Sequence, residues 1–362
     1  MRLRSIEVIQ SGTRISSVDI FRAFAILPVV MYHFNGFLPY GYLGVDLFFV
    51  ISGLLVGSIL IRQFKRKEKI SFPRFFLQRG FKIWPSYFAF LIVGSLLAYI
   101  FFRNSHPEYL IHGVKDAIRY VFFYQNYTAG PYHKDFDHVW SLCVEEHFYI
   151  LLPLVFILII WIFKHNSTIL FMAVIGLIVT GIAFKIFSYH YMPTINTQTT
   201  THNRIDALGW GVLLGLLVNY YEDRLRKIRW PFIFFMIGLL LFAGSIYLLI
   251  TLKGDFFEKA IFLSLSPFCF FLMLLGLYYH DFSKWKPLRF IAYYSYNWYL
   301  WHPIFILITY KYFGKDLPGF IIYIVLSFLV AMLFTIFVEE RFLRIRDRLL
   351  KRIFKPTTRA AA

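Results

Sequence analysis

The chain has 362 residues, of which 59% are hydrophobic, 21% aromatic and 16% charged, and its formal net charge is +18. A soluble domain carries about a quarter charged residues, and 44 Phe with 25 Tyr are more apolar surface than one globular core can hide. Lipid must solvate most of that surface. The basic excess clusters between apolar runs, which assigns it to anionic headgroups and excludes nucleic acid as its partner.

A membrane-crossing helix needs roughly 20 mostly apolar residues. That ruler yields segments at 17–37, 43–62, 80–102, 142–163, 168–188, 204–221, 231–250, 261–279, 291–312 and 319–338, with a shorter re-entrant candidate at 117–124. The expected fold is an all-α membrane protein of about ten transmembrane helices. One transmembrane domain is expected over 1–345, with a basic cytoplasmic tail over 346–362. No small-residue cleavage site follows the first apolar run, so it reads as a retained helix. Cys143 and Cys269 both sit in apolar runs, which argues against a disulfide framework.

Charge placement orients the chain. With the N-terminus inside, the inner segments contain Arg62, Lys65, Arg66 and Lys67, then Arg224, Arg226, Lys227 and Arg229, then Lys284 and Lys286, and the tail from Arg341 to Arg359. The opposite segments, including 103–141, carry few Lys or Arg. The expectation is N-in, C-in across the plasma membrane, with the amphipathic stretch 341–351 along the inner headgroups.

Ionisable groups inside such helices cost about 2.5–3.5 kcal/mol each on insertion scales, so each needs a reason. The first segment holds Asp19, Arg22 and His33. Eleven residues separate Arg22 from His33, a spacing that returns to within about 20° on a helix, roughly 16 Å further along its axis. Taken singly, His33 reads equally well as a hydrogen-bonded bundle histidine and Arg22 as a snorkelling residue. On one stripe they line a cavity, and Asp19, one turn earlier, is placed to neutralise Arg22. Arg79 and Lys82 open the third segment from the inside, one turn apart, where cations meet phosphates. Glu145 and Glu146 precede a long apolar run, in adjacent directions about 100° apart. Further along, His202 and Asp206 share a face, as do Ser295 and His302.

These residues fall into a pattern that resembles the acyltransferase-3 family of membrane O-acyltransferases. It begins with Arg22, ten residues, then His33, followed by Gly44-Val45-Asp46-Leu47-Phe48-Phe49-Val50-Ile51-Ser52-Gly53. It continues through Arg79 to Pro85, Trp140-Ser141 to Tyr149, Arg204-Ile205-Asp206 and Ser295 to Pro303, in the expected order. Two positions depart from the family's usual residues: Lys82 stands where Arg is usual, and His147 where Gln is usual. Longer members carry an extracellular esterase-like domain, which is not expected within these 362 residues.

The resemblance implies transfer of an acetyl or similar acyl group to a hydroxyl, commonly on a surface polysaccharide. The implied donor is acetyl-CoA or another acyl-CoA, and no metal is implied. Catalysis is expected of His33, Arg22 and Glu145; donor binding of Arg79, Lys82 and Arg22; acceptor binding of Trp140, Ser141, Glu146, His302 and Asp46. His33 has the right chemistry for a general base near neutral pH. Direct attack and an acyl-His33 intermediate stay open, as do a lipid-linked precursor, a periplasmic glucan or an antibiotic as acceptor, and pairing with a second copy. The competing classes are a transporter for lipid-linked sugars, whose matched Gly/Pro-broken halves this sequence does not show, and a metalloenzyme, for which only His133 and His138 pair weakly.

Overall fold

In the computed structural model, residues 14–102, 113–128 and 136–354 are described, and among them every regular element is helical. The helices are α1 Ser16–His33, α2 Gly44–Lys65, α3 Phe72–Phe102, α4 Gly113–Val121, α5 Trp140–Phe163, α6 Ser167–Tyr191, α7 Ile205–Tyr220 and α8 Glu222–Arg226. They continue with α9 Phe232–Leu252, α10 Leu263–Leu277, α11 Lys286–Tyr312, α12 Leu317–Phe334 and α13 Glu340–Ile353. Each of the ten apolar segments falls on one of them, and 7 spans are long and apolar enough to cross a membrane. The re-entrant candidate at 117–124 overlaps the short α4. Much of the expected outer stretch 103–141, His133 included, and the tail beyond 354 lie outside the described residues.

Local chemistry sets the ends. Asn166 caps α6 by accepting from the amides of Thr168 and Ile169, and Asp316 caps α12 through the amide of Gly319, with Pro318 in the first turn. The first helix is shorter than expected. It stops at His33 and not at 37, because Asn35 and Gly36 both turn left-handed, at φ 56° and 65°. His33 is therefore a terminal residue of its helix.

Two compact units divide the chain. One comprises 1–70 and 112–295, the other 71–111 and 296–362. In the first, α2 is the most enclosed of the spans and packs along α7 through a seam of small residues. A Cβ on Gly53 would lie 2.0 Å from the Leu208 carbonyl oxygen, and one on Gly211 equally 2.0 Å from that of Val50. Gly57 and Gly215 repeat the contact one turn further on. With no hydrophobic drive between helices in lipid, close backbone approach of this kind supplies the association. Helices α9 and α10 pair in the same unit, and α1 and α6 flank α2 and α7 respectively.

The second unit holds α3, the later part of α11, α12 and α13. Its centre is Trp301, fully buried between Phe90 and Phe334. A π-helical turn, Thr335–Glu339, joins α12 to α13.

Candidate active site

In the first unit, His33 holds its Nδ1 2.8 Å from the Val29 carbonyl oxygen. A carbonyl only accepts, so Nδ1 carries a proton, and in the neutral ring the lone pair is on Nε2. The end of α1 thus presents an imidazole whose basic nitrogen is fixed by its own backbone. The loop beyond is tightly seated: Tyr40 is left-handed at φ 65°, and a Cβ on Gly41 would meet the Pro28 carbonyl oxygen at 2.1 Å. Tyr32 packs edge-on against both His33 and Tyr42.

Arg22, two-thirds of α1 earlier, donates through Nη2 to Ser295 Oγ at 3.0 Å. The expected neutralisation of Arg22 by Asp19 does not form. Asp19 is buried between Arg14 at 2.5 Å and Arg289 at 3.2 Å, because the two arginines approach from before α1 and from α11 and saturate both of its oxygens.

Glu145 sits in a triangle with Ser52 and Tyr149. Ser52 Oγ donates to Oε2 at 3.0 Å and lies 2.8 Å from the Tyr149 hydroxyl, which also bonds to Oε2. Glu146, one position on, is buried on a different side. Trp140 meets Phe49 edge-on at 5.8 Å, and Ser141 turns back to the His138 carbonyl.

Asp46 is buried and engaged by the guanidinium of Arg204 and by Ser266 Oγ at 2.6 Å. A second buried pair lies within the same unit: Lys185 Nζ reaches Asp206 Oδ2 at 2.5 Å, the Leu263 carbonyl at 2.9 Å and Ser264 Oγ at 3.2 Å. Both members are wholly inaccessible.

In the second unit, Lys82 is ion-paired with Glu339, and its ammonium lies over the Tyr296 ring at 5.9 Å. Asn297 donates to Glu339 Oε2 at 2.8 Å and to Thr335 Oγ1 at 2.9 Å. The π-turn thus delivers both of Asn297's acceptors, a use typical of such turns at functional positions. Arg79 stands one turn before Lys82, half-buried. His302 is fully buried, its Nδ1 against the carbonyls of Trp298 and Tyr299.

Arg22, His33, Asp46, Arg79, Glu145, Arg204 and Ser295 follow one another in this order along the chain. The acyltransferase domain family matches residues 15–336. The chain belongs to the acyltransferase-3 family. It is similar to the O-acetyltransferase OatA of Staphylococcus aureus strain NCTC 8325, with 28% identity over 358 residues covering 93% of this chain and 58% of that protein. It is also similar to the peptidoglycan O-acetyltransferase OatA of Listeria monocytogenes, 28% identical over 334 residues, covering 82% of this chain and 50% of the relative. The chain therefore spans only part of the length of these relatives. No solved structure shows a significant match.

Three polar pairings within the two units were not legible in the sequence. Lys185 reads as one cation in a long apolar run, and only the fold brings it to Asp206, 21 residues on. Ser52 stands inside the Gly44 to Gly53 run, and its partner Glu145, 93 positions away, is shown only by the fold. Glu339 had a signal: with Glu340 it ends an apolar run, where carboxylates would otherwise be replaced by the basic residues of an inner loop.

Proposed function

We propose that this acyltransferase-3 chain is an integral membrane O-acyltransferase that moves an acetyl or similar acyl group from acyl-CoA to a hydroxyl of a cell-wall polysaccharide or its lipid-linked precursor. Family membership supports the reaction class, and the listerial relative, a peptidoglycan O-acetyltransferase, supports the acceptor class. The observation that carries the mechanism is the His33 Nδ1 bond to Val29, which leaves Nε2 as the basic atom.

In this reading Nε2 takes the proton of the attacking hydroxyl as its oxygen bonds to the thioester carbonyl carbon. The carbon–sulfur bond then breaks, and the departing thiolate takes the proton back from the imidazolium. Arg22 and Glu145 are the charged groups assigned to stabilise the separated charge. Arg79 and Lys82 are assigned to the donor's phosphates; the pairing of Lys82 with Glu339 means that donor binding exchanges one anion for another. The site belongs to a plasma-membrane protein with both termini cytoplasmic, a placement that rests on the Lys and Arg distribution.

The test is acyl transfer by purified protein in liposomes. His33→Ala and His33→Gln are each expected to lose about 10²–10⁴-fold in kcat while melting like the wild type. Well-folded variants with full turnover would remove His33 from the chemistry.

A further inference from the structure

A polar network occupies the segments around α5 and α7, apart from the groups used above. Asn126 Nδ2 donates to the Thr199 carbonyl and to Thr201 Oγ1, both at 3.0 Å. Thr201 Oγ1 lies 2.7 Å from His147 Nδ1. Thr201's proton has no other acceptor among the described residues, so it goes to Nδ1, and His147 carries its ring proton on Nε2.

A second chain runs in one direction beside it. Tyr127 Oη accepts from the His202 amide at 3.2 Å and bonds to His202 Nδ1 at 3.1 Å. The remaining His202 nitrogen faces Ser188 Oγ at 3.3 Å, Ser188 donates to Asn203 Oδ1 at 3.1 Å, and Asn203 donates to Thr200 Oγ1 at 2.7 Å. Thr200 ends the chain on the Asn196 carbonyl at 2.9 Å. Each hydroxyl both accepts and donates, which is consistent with a neutral His202; burial lowers this imidazole from its ordinary value.

The visible part of this network is aromatic. The Tyr127 ring, 47% exposed, stacks on His202 at 5.6 Å and 28° and lies 6.0 Å from the His147 ring. Phe184 closes the far side of His202 at 5.3 Å. An exposed tyrosine normally moves freely; this one is fastened at its hydroxyl by the half-buried His202 and the hydrogen-bonded chain behind it, so its ring is held in place before any ligand arrives. In the segments that carry the network, Gln125 Oε1, Asn126 Oδ1 and Thr199 Oγ1 are buried oxygens with no hydrogen-bond partner among the described residues. A fixed aromatic face, a neutral N–H donor and amide and hydroxyl groups, uncharged among the described residues named here, suit a neutral sugar ring.

We propose that Tyr127, His147 and His202 form the acceptor-binding platform, which takes a neutral pyranose ring by stacking on Tyr127 and by a hydrogen bond from His147 Nε2. This deepens, and for its biological meaning rests on, the carbohydrate acceptor of the function proposed above. The test uses the full chain in detergent micelles with a β-1,4-linked N-acetylglucosamine tetramer as probe, read by saturation-transfer NMR. Wild type is expected to transfer saturation to the tetramer. Tyr127→Ala and His147→Leu are expected to lose the transfer, and His147→Gln, which restores an N–H donor, to recover it. Tyr127→Phe, which keeps the ring and drops the fastening hydroxyl, is expected to bind more weakly than wild type and more tightly than Tyr127→Ala. Tyr247→Ala removes a comparably exposed tyrosine from α9 and is expected to bind as wild type. In the transfer assay Tyr127→Ala is expected to raise acceptor KM about tenfold more than it lowers kcat. Wild type that ignores the tetramer, or Tyr127→Ala that binds it normally, overturns the proposal. Wild type that binds the tetramer but transfers no acyl group leaves the platform standing and overturns the function proposed above.

Discussion

Lys185 and Asp206 pair at 2.5 Å with neither side chain reached by solvent. Removing one member of such a pair leaves the other charge buried and uncompensated, at a cost of about 3–5 kcal/mol, whereas replacing both by apolar residues is often neutral. Lys185→Met alone is therefore expected to lower the melting temperature sharply, and the Lys185→Met, Asp206→Leu double variant to recover most of it. A thermal-unfolding cycle in detergent decides this; a double variant no better than the single would show that the pair does not act as a unit. Ser52 presents a smaller case. Its hydrogen bond to a carboxylate contributes about 1.5–3 kcal/mol, so Ser52→Ala is expected to destabilise by about that amount, and less in a Glu145→Gln background. Equal losses in both backgrounds would disconnect Ser52 from Glu145. At this scale the sequence revealed the ends of interactions and not their pairings. Arg22, His33, Glu145 and Asp46 stand out because a charge in an apolar run is costly. That Asp19 serves Arg14 and Arg289, and leaves Arg22 to Ser295, depends on which helices become neighbours.

Helix positions were the legible part of the elements. Every apolar segment lies on a helix, since length and hydropathy alone decide what lipid accepts. Ends were less legible: α1 stops at His33 because of two left-handed residues, and apolarity carries no record of that turn. The seam between α2 and α7 was equally hidden, although Gly53 with Gly57, and Gly211 with Gly215, have the four-residue spacing that lets backbones touch. Gly211→Val is expected to force α2 and α7 apart, with a loss above the about 1–3 kcal/mol of ordinary overpacking, because the obstructing atom is a backbone oxygen. Gly244→Ala on α9, where nothing lies within 4 Å, is expected to be neutral or to stabilise by about 0.5–1 kcal/mol. Melting temperatures of the two variants give the comparison; a tolerant Gly211→Val would show that the seam is not tight.

At the scale of the whole molecule, composition settled the solvent and charge distribution proposes the orientation. The 7 spans long and apolar enough to cross by themselves are fewer than the ten apolar segments because α1, α7 and α11 are shorter or more polar. These three carry Arg22, Asp206, Ser295 and His302, whose polar side chains lower the mean hydropathy of their helices. With Cys143 and Cys269 replaced, single cysteines at Lys67, Arg229 and Lys284 are expected to react with an impermeant maleimide only after the cells are opened. Labelling of intact cells at any of these positions would reverse the proposed topology.

Gly41 gives this arrangement its least conspicuous dependency. Because no side chain fits between residue 41 and the Pro28 carbonyl, the stretch after α1 doubles back and grips the helix one turn before the imidazole. Even one added methyl there would prise the grip open and let the final turn of α1 unwind, taking with it the Val29 acceptor that dictates which nitrogen is basic. On the role proposed for His33, a Gly41→Ala protein is expected to keep most of its heat resistance and yet to lose turnover as His33→Ala does.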